Sequence, residues 1–188
     1  PAHFCYDPMI KGFPYDRERA KALLAEAGYA DGLSLILDSP TSMPDEAVRL
    51  SEALVEQLAK IGVDIDIVYT EDREHYANKV RLKDIHNLCV FDSSPLSTFR
   101  VLKEKVDSRF AGSWWQGYAN PDVEKLLDEA QTTVDNQKRE SLYKQCYRLL
   151  NDDPPWLYLY NYKNITCRAA DLSGWEPPVH NIIDPRYL

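Results

Sequence analysis

The residues best placed to do chemistry fall in one short stretch, His86-Asn87-Leu88-Cys89-Val90-Phe91-Asp92-Ser93-Ser94-Pro95. Four apolar residues run straight into an acid, two hydroxyls and a proline. A carboxylate at the end of a buried strand can neutralise a cationic ligand group, act as a general acid or base, or bond the amides of its own turn. Ser93 and Ser94 can bond a ligand or cap a following helix. His86 stands on the strand that delivers Phe91 and Asp92, and a lone histidine there serves either structure or a site. A second candidate is Trp114-Trp115, just before Gly117. Two large rings, each with an N–H to satisfy, can pack beneath a sheet or form a stacking wall beside the Asp92 edge.

The rest of the chain offers this stretch few catalytic partners. No G-x-x-x-x-G-K, G-x-G-x-x-G, H-E-x-x-H or G-x-S-x-G pattern occurs, and nothing orders a Ser/His/Asp triad. His3, His75, His86 and His180 are scattered and no C-x-x-C pair exists, so neither a metal nor another cofactor is expected. Asp92 therefore reads better as a ligand's counter-charge than as an acid or base with a nucleophile to serve. The net charge of -8 and pI near 5.0 argue against nucleic acid or an anionic membrane as partner. No apolar run approaches the roughly 18 residues of a membrane span. Cys89 reads as a small core residue; Cys146 and Cys167 are the expected pair if the compartment is oxidising.

The elements that must position these residues alternate between helix and strand. Asp16 caps a helix over residues 17–27, with Ala20, Leu23, Leu24 and Ala27 on its apolar face and Gly28 as its left-handed end. Residues 33–37 and 63–69 read as strands. Between them Pro44 suits the first turn of a helix striped by Ala47, Leu50, Leu54, Leu58 and Ile61. That unit has the length of a parallel crossover. A third helix, residues 72–82, leads to the strand ending at Phe91. For Leu88, Cys89 and Val90 to be buried on both faces, helices must cover both sides of the sheet. Residues 96–105 are mixed and partly helical. Asn120-Pro121 opens a helix that buries Val123, Leu126, Leu127 and Ala130. Asp135 caps the next, residues 136–150, which buries Leu142, Cys146 and Leu149. Asp152-Asp153-Pro154-Pro155 stops it with a solvated acid pair. Trp156-Leu157-Tyr158-Leu159-Tyr160-Asn161-Tyr162 alternates as a strand does.

In this order the motifs resemble the extracellular solute-binding proteins of family 5. Tyr15-Asp16-Arg17-Glu18-Arg19-Ala20 through Ala27-Gly28-Tyr29, then Asp31-Gly32 and a strand, open the likeness. Gln57-Leu58-Ala59-Lys60-Ile61-Gly62-Val63, Gly117-Tyr118-Ala119-Asn120-Pro121-Asp122-Val123 and Asp153-Pro154-Pro155-Trp156 continue it. Phe91-Asp92-Ser93-Ser94-Pro95 departs from the family's usual tryptophan–x–x–Asp–Tyr pattern.

The resemblance implies an α/β, periplasmic-binding-protein-like lobe with a mixed, mostly parallel sheet flanked by helices. Residues 1–174 would be the C-terminal lobe of a two-lobed protein, and residues 175–188 a tail returning to an N-terminal lobe outside this sequence. The implied function is capture of a peptide, or a similar small amine-bearing solute such as an opine, for ABC permease subunits in a periplasmic or extracellular setting. It implies no enzyme activity, no nucleic acid and no membrane insertion. The ligand-binding residues would be Asp92, Phe91, Ser93, Ser94, Trp114, Trp115 and His86. Two other uses of the same lobe remain: a cytoplasmic sensor, or an α/β enzyme domain using Asp92.

Overall fold

The two strands read from the sequence lie side by side. In the computed structural model, which describes residues 4–42, 44, 46–91, 97–110, 117–160 and 167, β1 (Leu33–Pro40) pairs in parallel with β2 (Val63–Thr70) along their full length. Leu33 faces Val63 and Pro40 faces Thr70. Helix α1 (Arg17–Glu26) precedes β1, and α2 (Ala47–Ala59) makes the crossover to β2. From β2 the chain passes through α3 (Arg73–Leu82) to β3 (Leu88–Cys89), which pairs in parallel with β1 on its other side. Among the described residues the strand order is β2-β1-β3. Then come α4 (Thr98–Lys105), α5 (Pro121–Thr132) and α6 (Asn136–Asp152).

Local chemistry sets the helix starts. The side chains of Asp16, Asp72, Ser97, Asn120 and Asp135 each accept a backbone N–H of the first turn, satisfying donors that have no partner within the helix. Helix α2 is the exception. It begins after Glu46, in the left-handed region at φ 62, and has no side-chain cap.

Packing builds two apolar groups. Leu37, Val63, Ile65 and Val90 form the buried core of the sheet, with Leu24, Leu50, Val55 and Leu58 packed against it. The other group is Val123, Leu127 and Ala130 of α5 against Leu142, Tyr143, Cys146 and Leu150 of α6. Burying a Leu or Val side chain of this kind stabilises the fold by about 1.5–3 kcal/mol.

The structure revises several expectations. β1 runs to Pro40, three residues past its apolar run, and buries Leu37, Asp38, Ser39 and Pro40. Leu88 is 37% exposed, against the burial expected of it, while Val90 is buried; among the described residues β3 has β1 alone beside it. α1 has no buried residue: Leu24 reaches the core, while Leu23 stays open to solvent. In α2 the deepest residues are Ala47 and Ser51, and the leucine stripe is only half-buried. Leu126 and Leu149, expected in the core, are also half-buried.

All four cysteines are free. Cys146 lies beneath α5 with no exposed surface, its thiol pushed up to about 12 by burial, whereas Cys167 is exposed. Asp153 is not merely solvated, since it accepts the Tyr118 hydroxyl at 3.0 Å and Asn120 Nδ2 at 3.3 Å.

The chain divides into two units, Pro1–Pro155 and Trp156–Leu188. In the second, residues 156–160 lie outside any strand, with Leu157, Tyr158 and Tyr160 more than half exposed. An extended segment becomes a strand only by pairing its backbone with a neighbour, and side-chain alternation alone does not provide one. Residues 161 and 162 lie outside the described residues.

Two glycines make the α1-to-β1 turn. Gly28 (φ +92) ends α1, and Gly32 (φ +105) packs against the Gly62 backbone, where Leu33 N–H donates to Gly62 O at 3.0 Å. A Cβ on Gly32 would stand 3.0 Å from that same carbonyl oxygen, while one on Gly28 would meet nothing within 4 Å. Gly28→Ala should therefore cost about 1 kcal/mol of backbone strain, and Gly32→Ala distinctly more. Urea unfolding at unchanged m-value measures both, and equal midpoints for the two variants would contradict the packing argument.

Candidate functional site

The sheet's carboxyl edge is built around one buried acid. Asp38, which pairs with Cys89 across the β1–β3 ladder, has no exposed side-chain surface. A charge so placed needs partners, because unpaired burial is costly. Lys79 of α3 donates to its Oδ1 at 3.1 Å. The His86 backbone N–H reaches Oδ2 at 2.7 Å, and the His86 ring Nδ1 lies 2.9 Å from the same oxygen. Burial works to raise the Asp38 pKa, but the bonds from His86 and Lys79 outweigh it and hold the carboxyl below its ordinary range.

A second layer sits behind it. The Tyr76 hydroxyl donates to Val90 O at 2.6 Å, with Asp38 O 3.1 Å away. Val90 N–H donates to Asp38 O at 3.0 Å, carrying the ladder one residue beyond β3. On α2, the Ser51 hydroxyl donates to Ser39 Oγ at 2.8 Å, closing the end of β1 over buried polar atoms. The helix between β2 and β3 is thus tied to the last residues of β1 by side chains alone.

Of the residues singled out from the sequence, two are described. Phe91 follows β3 at the carboxyl edge, half-buried, with the Arg73 guanidinium carbon 5.8 Å from its ring centroid. His86 is bound through two atoms to Asp38, and its side chain is 46% exposed. Asp92, Ser93, Ser94, Trp114 and Trp115 lie outside the described residues.

Sequence reasoning missed Asp38, Lys79, Tyr76 and Arg73. An acid after an apolar run reads as a turn, and the spacing of Lys79 to Asp38 carries no pattern. It also missed Asp107, a buried acid that accepts Lys103 at 2.6 Å and Arg109 Nε at 2.9 Å. Arg109 passes on to Asp128 at 2.7 Å, so this cluster clamps α4 to α5. Among the described residues no three of histidine, cysteine, aspartate and glutamate are grouped as metal ligands would be.

An α/β sheet of this order, with helices around it, is the architecture of a lobe of a periplasmic binding protein. The ABC transporter-associated periplasmic binding protein DppA of Helicobacter pylori, solved with the peptide STSA, superimposes with a TM-score of 0.70 at 23% identity, over 82% of this chain and 30% of that one. The likeness extends from fold to sequence. The profile of the bacterial extracellular solute-binding proteins, family 5 Middle, matches residues 1–124, and the chain belongs to that family. The dipeptide-binding protein of Escherichia coli is 32% identical over 168 residues, covering 85% of this chain and 31% of that protein. Di/tripeptide-binding protein 2 of Pseudomonas aeruginosa is 26% identical over 177 residues, covering 91% and 33%. The chain spans about a third of the length of these relatives.

The Asp38 cluster gives a pH prediction. A carboxyl whose folded pKa is depressed adds stability that is present above its unfolded pKa and lost as pH falls through the folded value. Stability should therefore decline below the usual carboxylate range. Asp38→Asn should remove its share of that decline and cost about 1–3 kcal/mol at neutral pH, the penalty of leaving partly buried donors unmatched. Urea melts at neutral pH and at pH 3 test it; an unaltered difference between the two pH values in the variant would rule Asp38 out as a source.

Proposed function

We propose that this chain is the C-terminal lobe of a solute-binding protein that captures a peptide, or a similar small amine-bearing solute, for an ABC importer in a periplasmic or extracellular setting. The observation that carries the reading is the family match over residues 1–124, which ends at the start of α5 and takes in the whole described sheet and its carboxyl edge. Ligands of open α/β sheets lie at that edge, and relatives of this chain are named for dipeptides and tripeptides.

The proposed contacts follow the chain outward from β3. Asp92, next after Phe91, would neutralise the solute's amino group, with Ser93, Ser94 and His86 around it and Phe91 as an apolar floor. Trp114 and Trp115 would supply a stacking wall. An N-terminal lobe of the full-length protein would close over the solute by hinge motion, and ABC permease subunits would then receive it. Residues 1–174 would form the lobe and 175–188 the return to its partner lobe. The role is binding and release, with no bond made or broken.

Two outcomes are expected in calorimetry with dipeptides on the full-length protein. Asp92→Asn should weaken binding by well over tenfold, as loss of a desolvated charge partner does, and unchanged affinity would return Asp92 to a turn. The 188-residue chain alone should bind far more weakly than the full-length protein, because it supplies one wall of a two-walled site. Nanomolar binding by the single lobe would argue against a shared site.

A further inference from the structure

The N-terminal segment lies along α6. The Phe4 ring meets the Tyr143 ring edge-on, with 6.3 Å between centroids. Asp7, its carboxylate almost fully buried, accepts Arg148 Nε at 2.9 Å. Thr98, at the start of α4, donates to Phe4 O at 3.4 Å. Between Phe4 and Asp7 stands Cys5, 4% exposed; between Tyr143 and Arg148 stands Cys146, with no exposed surface. A segment fastened at residue 4 to one turn of a helix and at residue 7 to the next brings residue 5 to about the level of residue 146.

The two thiols share their surroundings. Burial pushes Cys5 up to about 11 and Cys146 up to about 12, and the charge of Cys5 adds to the rise at Cys146, as a like charge does at close range. The hydroxyls of Tyr143 and Tyr147, raised first by their own burial, feel both cysteines as well. Cys146 Sγ meets Val123 O at 4.0 Å, a weak bond for a thiol. Cys5 sits at φ 71, a left-handed backbone that a residue with a Cβ holds only where its surroundings fix it.

We infer that Cys5 and Cys146 are a disulfide-forming pair, which on oxidation fastens the N-terminal segment to α6. The structure describes the reduced state. A disulfide needs Cβ atoms about 3.5–4.5 Å apart. The segment, held through side chains at Phe4 and Asp7, is the part that moves to meet that, since α6 is a continuous helix. The oxidant is a small disulfide of the glutathione class. With the segment lifted, the Cys5 thiolate attacks one sulfur of that disulfide and one glutathione thiolate leaves. As the segment settles back, the Cys146 thiolate attacks the Cys5 sulfur of the mixed disulfide and the second glutathione leaves. Two protein thiols become one disulfide; their two electrons and two protons turn one glutathione disulfide into two thiols. The bond closes a loop of roughly 140 residues, and long loops constrain the unfolded chain most. It assigns Cys146 to Cys5 in place of Cys167, which lies in the other unit. The oxidising setting is that of the solute-binding reading, but the pair is tested without solute, so the two readings fail separately.

The experiment incubates the full-length protein with oxidised or reduced glutathione. Each sample is quenched with acid, unfolded with an alkylating agent present, and digested. Mass spectrometry of the oxidised wild type should find Cys5 and Cys146 in one cross-linked peptide, two hydrogens lighter than the two thiol peptides together. In the reduced sample both should be alkylated singly. Oxidation should raise the thermal midpoint by at least about 5 °C, and Cys5→Ser or Cys146→Ala should abolish both the cross-link and the rise. Alkylation of both cysteines in the oxidised wild type, which needs no variant to fold, overturns the proposal. So does a link from Cys146 to Cys167, or Cys5 left as a mixed disulfide with glutathione. A Cys5–Cys146 cross-link with an unchanged midpoint overturns the fastening role.

Discussion

The burial of Asp38 is the constraint on which the carboxyl edge depends. A carboxylate with no exposed surface in the central strand holds its place only if donors come to it, and they come from two directions: Lys79 from α3 and His86 from the loop before β3. Both directions matter because β3 is short. Two residues of ladder fix little, whereas an ionic tie at the same level pins the approach to β3 from outside the sheet. Tyr76 adds a third tie from the same helix, to the carbonyls of Asp38 and Val90. The position of Phe91, and of whatever follows it, is inherited from these bonds.

That arrangement suits a binding surface. Ordering loose side chains at an interface costs roughly 0.5–1.5 kcal/mol each, and affinity is retained when the groups are held in place beforehand. Here the helix that carries Arg73 is tied to the sheet two turns further on by Lys79, and Ser51 and Ser39 close the end of β1 from α2. The polar atoms beneath the edge are consumed by one another.

What the sequence made legible was mostly local. Asp16, Asn120 and Asp135 were readable as caps because a cap is satisfied within three residues of itself. The parallel pairing of residues 33–37 with 63–69 was readable because a crossover of that length has few alternatives. The misses were tertiary. Asp38, Ser39 and Pro40 have the composition of a turn, yet they continue β1 because β2 runs alongside for eight residues and α2 and α3 supply their polar partners. Leu88 looked buried because apolar runs usually are, but more than a third of it is exposed. Trp156 to Tyr160 alternates like a strand, but a strand is a property of two chains of backbone. His86 was noticed for its place on the strand; its described engagement is with Asp38, a residue with no distinguishing spacing.

The shifted carboxylates of the described region all move in one direction. Backbone and arginine donors hold Asp7 below its ordinary pKa. Burial acts against Asp38 and Asp107, but the donors around each prevail, and Asp128 is lowered first by its bond to Arg109. A general acid at neutral pH needs the opposite treatment, with desolvation winning over its donors. These carboxylates are fixed anions that assemble helices: Asp38 joins α3 to the sheet, Asp107 and Asp128 join α4 to α5, and Asp7 joins the N-terminal segment to α6 through Arg148 at 2.7 Å. Spent on these joints, the buried Asp38 and Asp107 serve the frame of the fold.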